Sequence, residues 1–128
     1  MTRDWIILVA DDELDNLNVI VEYMELQGMT VYTAANGKQV LELLTGIRPD
    51  CILLDIAMPG MSGWETLTQI RMDPEISDVP VIALTAQVMN TSKADVLSYG
   101  FDGYIAKPFD LVKVMKEVQY WLERGAAV

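Results

Sequence analysis

The chain has 128 residues, enough for one ordinary domain and too few for two sizeable ones. Hydrophobic residues make up 52% against 22% charged, a balance that supports a packed core and excludes a disordered tail. The formal charge of −10, from 19 acidic and 9 basic residues, suits a hard cation and argues against direct nucleic-acid binding.

Two further counts narrow the chemistry. The chain has no histidine, which removes His-based triads, His general bases and most zinc sites. Any phosphohistidine chemistry must therefore come from a partner. The single cysteine, Cys51, lies in the apolar run Cys51-Ile52-Leu53-Leu54 and reads as a buried thiol; no disulfide can form within the chain, which suits a reducing cytosol. No apolar run approaches the roughly 18 residues needed to span a bilayer. Met1-Thr2-Arg3-Asp4 lacks the layout of a secretory signal. A soluble, cytoplasmic protein without membrane contact is expected.

Trp5 to Ala10 is a continuous apolar run ending at Asp11-Asp12, as in a strand buried on both faces. From Leu14 to Leu26, the apolar positions Leu17, Ile20, Val21 and Met24 recur at helical spacing, and Gly28 stops the helix. Met29 to Ala34 predicts a second strand. Asn36-Gly37 opens a helix carrying Val40, Leu41, Leu44 and Ile47, closed by Gly46 and Pro49. Cys51 to Leu54 is the third strand and ends at Asp55. The loop Ile56 to Gly63 is dense in turn residues, and a helix follows from about Trp64 to Met72. Val79 to Leu84 predicts strand four, ending at Thr85, with a weakly amphipathic helix over roughly Asn90 to Tyr99 and Gly100 at its end. Asp102 to Ala106 is the fifth strand, before Lys107-Pro108-Phe109. The last helix places Leu111, Val114, Met115, Val118, Trp121 and Leu122 on one face.

Five strand–helix units in strict alternation imply an α/β fold, a doubly wound five-stranded parallel sheet with helices on both faces. Without repeats, low-complexity segments or linkers, residues 1–128 read as a single domain with no effector domain.

Ligands of such sheets bind outside the carboxyl ends of the strands. The residues at those ends are Asp11, Asp12, Asp55, Thr85 and Lys107. Converging carboxylates need a cation, and Mg²⁺ takes oxygen ligands together with phosphate oxygens. One carboxylate could act as nucleophile toward a phosphoryl donor, while Thr85 offers a hydroxyl and Lys107 a compact positive charge. Singly, each residue has an ordinary use. Asp12 could cap a helix, Asp55 could form a turn, Thr85 could end a strand, Lys107 could be solvated, and Tyr104 could pack in a strand.

Four blocks together carry a resemblance. Val9-Ala10-Asp11-Asp12-Glu13, Leu54-Asp55-Ile56-Ala57-Met58-Pro59-Gly60-Met61-Ser62-Gly63, Ala83-Leu84-Thr85-Ala86 and Lys107-Pro108-Phe109 resemble the signature blocks of bacterial response-regulator receiver domains over nearly the whole chain. The resemblance implies a flavodoxin-like (βα)5 fold with strand order 2-1-3-4-5. It also implies a switch phosphorylated on Asp55 by a histidine kinase or phosphotransfer protein, rather than a turnover enzyme. Mg²⁺ would be held by Asp12, Asp55 and the backbone carbonyl of Ala57, with Asp11 acting largely through water. Lys107 would contact the phosphoryl group, Thr85 would move to bond it, and Tyr104 would follow as the switch aromatic. Lys107-Pro108 would be cis, and Ala57 and Gln87 would tune the lifetime of the phosphorylated state. The output would be a protein-binding surface on helix 4, strand 5 and helix 5.

This chain departs from the DNA-binding branch of that family. Lys113 and Glu117 reverse the charge order that supports its usual dimer, so a monomer or weak dimer is expected, acting on a downstream protein. A stand-alone receiver and one cut from a hybrid kinase would read alike. Two rivals remain. A haloacid-dehalogenase-like phosphohydrolase would need an acid/base Asp where Ala57 stands, and a phosphorylation-independent interaction module would usually have lost part of the acidic pocket. A nucleotide-binding module is weaker, since neither a P-loop nor a GxGxxG follows the first strand.

Overall fold

A computed structural model describes residues 4–86 and 92–126. The strands are β1 (Ile6–Ala10), β2 (Thr30–Ala34), β3 (Cys51–Asp55), β4 (Val81–Ala86) and β5 (Gly103–Lys107). The α-helices are α1 (Asn18–Leu26), α2 (Gly37–Leu43), α3 (Gly63–Met72), α4 (Lys93–Tyr99) and α5 (Leu111–Ala126). All pairings are parallel and the order is β2-β1-β3-β4-β5, the α/β architecture and strand order expected from the sequence.

The sheet separates two apolar layers because side chains alternate along each strand. Ile7, Val9, Leu53, Leu84 and Ile105 pack against Leu17, Ile20 and Met24 on one side and Val114, Val118 and Leu122 of α5. Leu8, Leu54, Val81 and Ala83 face Val40, Leu67, Ile70 and Val96 from α2, α3 and α4. β3 is buried along its whole length, so its apolar run shows no alternation.

Local chemistry shifts several element boundaries. The stretch expected as one helix from Leu14 begins as a 3-10 turn, Leu14–Leu17, and becomes α-helical at Asn18. The N-cap of that turn is Glu13 without a side-chain cap, so Asp12 is no helix cap. α2 ends at Leu43, and a tight turn in which both Gly46 and Ile47 donate to the Leu43 carbonyl replaces its last predicted turn. β4 starts at Val81 rather than Val79 because Pro80 has no N–H, and the Val81 N–H goes to Asp102 Oδ2 at 2.8 Å. α4 begins at Lys93, where Ser92 and Asp95 form a capping box; positions 90 and 91 of the expected helix lie outside the described residues.

One face of α3 holds the turn between α4 and β5. Trp64, Thr68 and Arg71, at i, i+4 and i+7, meet the consecutive residues Tyr99, Gly100, Phe101 and Asp102. Trp64 packs edge-on against Tyr99 and Phe101, and Arg71 donates to the carbonyls of Ser77, Val79 and Gly100 and to Asp102.

Candidate active site: three carboxylates and a lysine

Strand register assembles the site. Ala10 lies beside Leu54, so Asp11, one residue on, stands level with Asp55. Both continue the side of the sheet covered by α1 and α5, since Val9 and Leu53, two residues earlier, pack there. Lys107 extends the same side from Ile105 and reaches across the sheet edge. Its Nζ lies 3.0 Å from Asp11 Oδ2 and 3.1 Å from Asp55 Oδ2. Asp12 is exposed at the rim, and Asp11, Asp12 and Asp55 each offer an oxygen within 4.8 Å of the others.

Asp11 and Asp55 are buried, at 0% and 2% exposure, a costly state for two carboxylates facing one ammonium. The neighbouring turns share the load. Asp11 Oδ1 accepts the Glu13 N–H at 2.8 Å, and Asp55 Oδ1 accepts the Ala57 N–H at 3.0 Å. Asp11 Oδ2 has the lysine charge beside it but no aligned hydrogen-bond donor. Burial pushes the Asp55 carboxyl from an ordinary 3.8 up to about 6; Lys107 opposes this, the charge of Asp11 adds to it, and the Ala57 N–H opposes it. Burial also works against the Lys107 ammonium, but the adjacent Asp11 and Asp55 carboxylates outweigh it and hold the pKa above 10.5.

The donor set suits a hard divalent cation. It offers only oxygen at the carboxylates, sets three carboxylates against the one ammonium of Lys107 so that two negative charges are left over, and leaves one buried oxygen without an aligned donor.

The other expected residues are placed differently. Thr85, level with Ala106, is buried and follows Val81 and Ala83 in the alternation, on the side of α2–α4. Tyr104 is half-buried on that same side and packs against that layer. The Lys107–Pro108 peptide is cis. Gln87 lies outside the described residues. Cys51 is fully buried, and burial first, with nearby acids second, pushes its thiol up and keeps it protonated at neutral pH.

Gly63 seats the loop, a role that its place among several turn glycines does not mark in the sequence. A Cβ on Gly63 would collide with the Asp55 carbonyl oxygen and lie 2.6 Å from Ile56 Cα, so α3 starts against the backbone of Asp55. Arg71 and Asp102 pair across the fold, and in the sequence only the helical spacing of Arg71 from Trp64 hints at it.

The family model of the response regulator receiver domain matches residues 7–119. The chain belongs to the response regulator receiver family. This receiver is 38% identical over 122 residues to the transcriptional regulatory protein PrrA of Mycobacterium leprae, covering 94% of the chain and 51% of that protein. It is 32% identical over 117 residues to the polar-differentiation response regulator DivK of Brucella anthropi, covering 91% and 94%. The chain thus spans about half of PrrA and nearly all of DivK. Among solved structures it resembles the receiver domain of sensor histidine kinase PA1611 from Pseudomonas aeruginosa PAO1, which has a magnesium ion coordinated in its active-site cleft. That match has 30% identity and a TM-score of 0.83, and covers 94% of this chain and 99% of the other. Receiver domains are signalling switches of two-component phosphorelays rather than turnover enzymes. Among the described residues, no helix is long and apolar enough to cross a membrane.

Proposed function

We propose that this receiver is switched by phosphorylation of Asp55. The observation that carries the reading is the convergence of Asp11, Asp12 and Asp55 on one point with Lys107 bridging the two buried carboxylates. An Asp55 carboxylate oxygen attacks the phosphorus of a phosphohistidine on a histidine kinase or phosphotransfer protein. An O–P bond forms, the N–P bond breaks, and the imidazole leaves. Asp55 must be ionised to attack. Lys107, already at hydrogen-bond distance, draws off charge from the phosphoryl oxygens. Asp12, Asp55 and the Ala57 carbonyl, with Asp11 acting largely through water, would hold Mg²⁺, which would supply further charge neutralisation in the same cleft.

The phosphorylated Asp55 recruits the Thr85 hydroxyl, and Tyr104 follows on the neighbouring strand, shifting the surface of α4, β5 and α5 between two populations. Gln87 and Ala57 set access of the hydrolytic water. The site is cytoplasmic, the chain a monomer or weak dimer, and the output a protein contact rather than direct nucleic-acid binding, as the charge of −10 favours.

Intact mass after incubation with Mg²⁺ and a small acyl phosphate tests the reading. One added phosphoryl group is expected, lost on Asp55→Asn and on chelation of the cation. Adduct formation by Asp55→Asn, or none by the unaltered chain, overturns it.

A further inference from the structure

α2 and α3 pack side by side, and their carboxyl ends frame a groove of about 530 Å³. Each helix runs back from the carboxyl end of one strand toward the amino end of the next, so the groove opens at the edge of the sheet opposite Asp55. Its floor is apolar: Leu41 is half-buried, and Leu44 and Ile76 are buried. Met72, the last residue of α3, stands on the wall with 71% of its surface exposed. Asp73 and Glu75 follow at the rim, both exposed, and among the described residues the lining holds no base. Neither carboxylate has an ion-pair partner among the described residues. Asp73 Oδ1 accepts the Glu75 N–H at 3.0 Å, which fixes the turn and leaves the charge in place. The bases of the neighbouring segments are engaged elsewhere. Arg48 donates to the Glu75 carbonyl at 3.3 Å, but its charge is matched by Asp78 at 2.8 Å, and Arg71 turns to Asp102 at 2.7 Å. The carbonyl end of α3 adds partial negative charge at the same point.

We propose that this groove docks a basic protein segment carrying an apolar side chain, a contact separate from the cleft and independent of the switch reading above. The apolar side chain covers Met72 and the floor of Leu41, Leu44 and Ile76, while a lysine or arginine of the segment lies over Asp73 and Glu75. Charge selects this class over others. A nucleic-acid duplex or an anionic membrane would meet two unpaired carboxylates on a chain of formal charge −10. Two copies of the chain related by a two-fold axis would set Asp73 and Glu75 against their own counterparts. A small polyamine would match the carboxylates but leave Met72 and the apolar floor in water. A basic segment with an apolar side chain covers both features at once.

The test uses the intact chain and labelled short peptides of mixed Lys, Arg, Leu and Ala. Matching peptides carry Glu in place of the bases, or Ser in place of Leu, and spermidine serves as a competitor. Anisotropy gives affinity and amide shifts give location. The basic, Leu-containing peptides are expected to bind and to move the amides of Leu44, Met72 and Glu75. Glu75→Lys should weaken them by roughly tenfold, about 1.4 kcal/mol. Asp73→Asn, which keeps the acceptor for the Glu75 N–H, should weaken them severalfold, and so should Met72→Ser, a change at an exposed side chain that leaves the fold intact. Glu22→Gln, which removes a charge from exposed α1, should leave affinity as it is. An equal loss with Glu22→Gln would mean diffuse attraction to an acidic chain and overturns the proposal. So does any of four other results: no binding by the basic peptides, equal binding by the Glu or Ser peptides, full displacement by spermidine at matching charge, or amide shifts confined to other faces. Self-association of the chain that Glu75→Lys abolishes would assign the groove to a second copy and overturns it too.

Discussion

The ammonium of Lys107 stands 3.1 Å from Asp55 and 3.0 Å from Asp11, one positive charge between two buried carboxylates. One cation cannot neutralise both. Burial, with the charge of Asp11 behind it, pushes Asp55 up to about 6 despite its lysine, and the surplus charge leaves the cleft poised to take a divalent ion. The same arrangement makes the fold bear an electrostatic cost at neutral pH for the sake of its chemistry.

Removing that cost should stabilise the protein. The folded-state pKa of Asp55, about 6, lies above its ordinary 3.8, so the folded chain holds the proton more tightly than the unfolded one. Its stabilising contribution is therefore complete below 3.8 and lost as pH rises through about 6. Without divalent cations, Asp55→Asn should raise stability at pH 7 by about 1–3 kcal/mol and change it little below pH 4. Urea denaturation at both pH values checks this. Equal gains at the two would mean that packing, not ionisation, is responsible.

Cation binding should follow the same titration in the opposite sense, because only the ionised carboxylate is a ligand. Mg²⁺ affinity is expected to fall roughly tenfold between pH 7 and pH 5 as Asp55 takes up its proton. Saturating Mg²⁺ should raise the thermal midpoint of the unaltered chain at pH 7 and barely move that of Asp55→Asn. Isothermal titration against pH would expose a flat profile, which would exclude Asp55 from the ligand set.

The sheet and the residues at its edge were legible because their signals are local. β1, β3 and most of β4 are short apolar runs, and Asp11, Asp55 and Lys107 stand at or directly after strand ends. Parallel register then carries residues distant in sequence to one edge. What the sequence did not reveal depends on tertiary contact. The N–H of Val81 is satisfied by Asp102, 21 residues away, which trims β4 at its start. Arg71 looks like a solvated helix residue until the turn after α4 folds onto it. Gly63 reads as one turn glycine among several, and only the packed backbone of Asp55 gives it a steric role.

Gly63→Ala should impair the site without touching a functional side chain. The new methyl meets the Asp55 carbonyl oxygen and the Ile56 backbone, which cannot rotate away as a flexible side chain could. Overpacking of this kind costs about 1–3 kcal/mol, and here the displaced atoms carry the phosphoacceptor. A loss of phosphorylation rate beyond what the lowered stability explains is expected, measured at a temperature where the variant is fully folded. A variant that is destabilised yet phosphorylated at the normal rate would show that the loop absorbs the methyl away from Asp55.

Arg71→Ala should be among the most damaging changes outside the cleft. The guanidinium makes four hydrogen bonds, to the carbonyls of Ser77, Val79 and Gly100 and to Asp102 Oδ2 at 2.7 Å, and both charges are largely shielded from solvent. Its loss strands three carbonyls and leaves Asp102 with only the Val81 N–H, an expected cost of about 2–4 kcal/mol. Lysine should not rescue it, because one ammonium cannot span a fork of acceptors on both sides of the β4–β5 edge. Asp102→Asn, which keeps an acceptor for Val81 and removes the charge, should cost less than Arg71→Ala. Chemical denaturation of the three variants ranks them. A Lys variant as stable as the unaltered chain would mean that charge, not the guanidinium geometry, holds α3 to the α4–β5 turn.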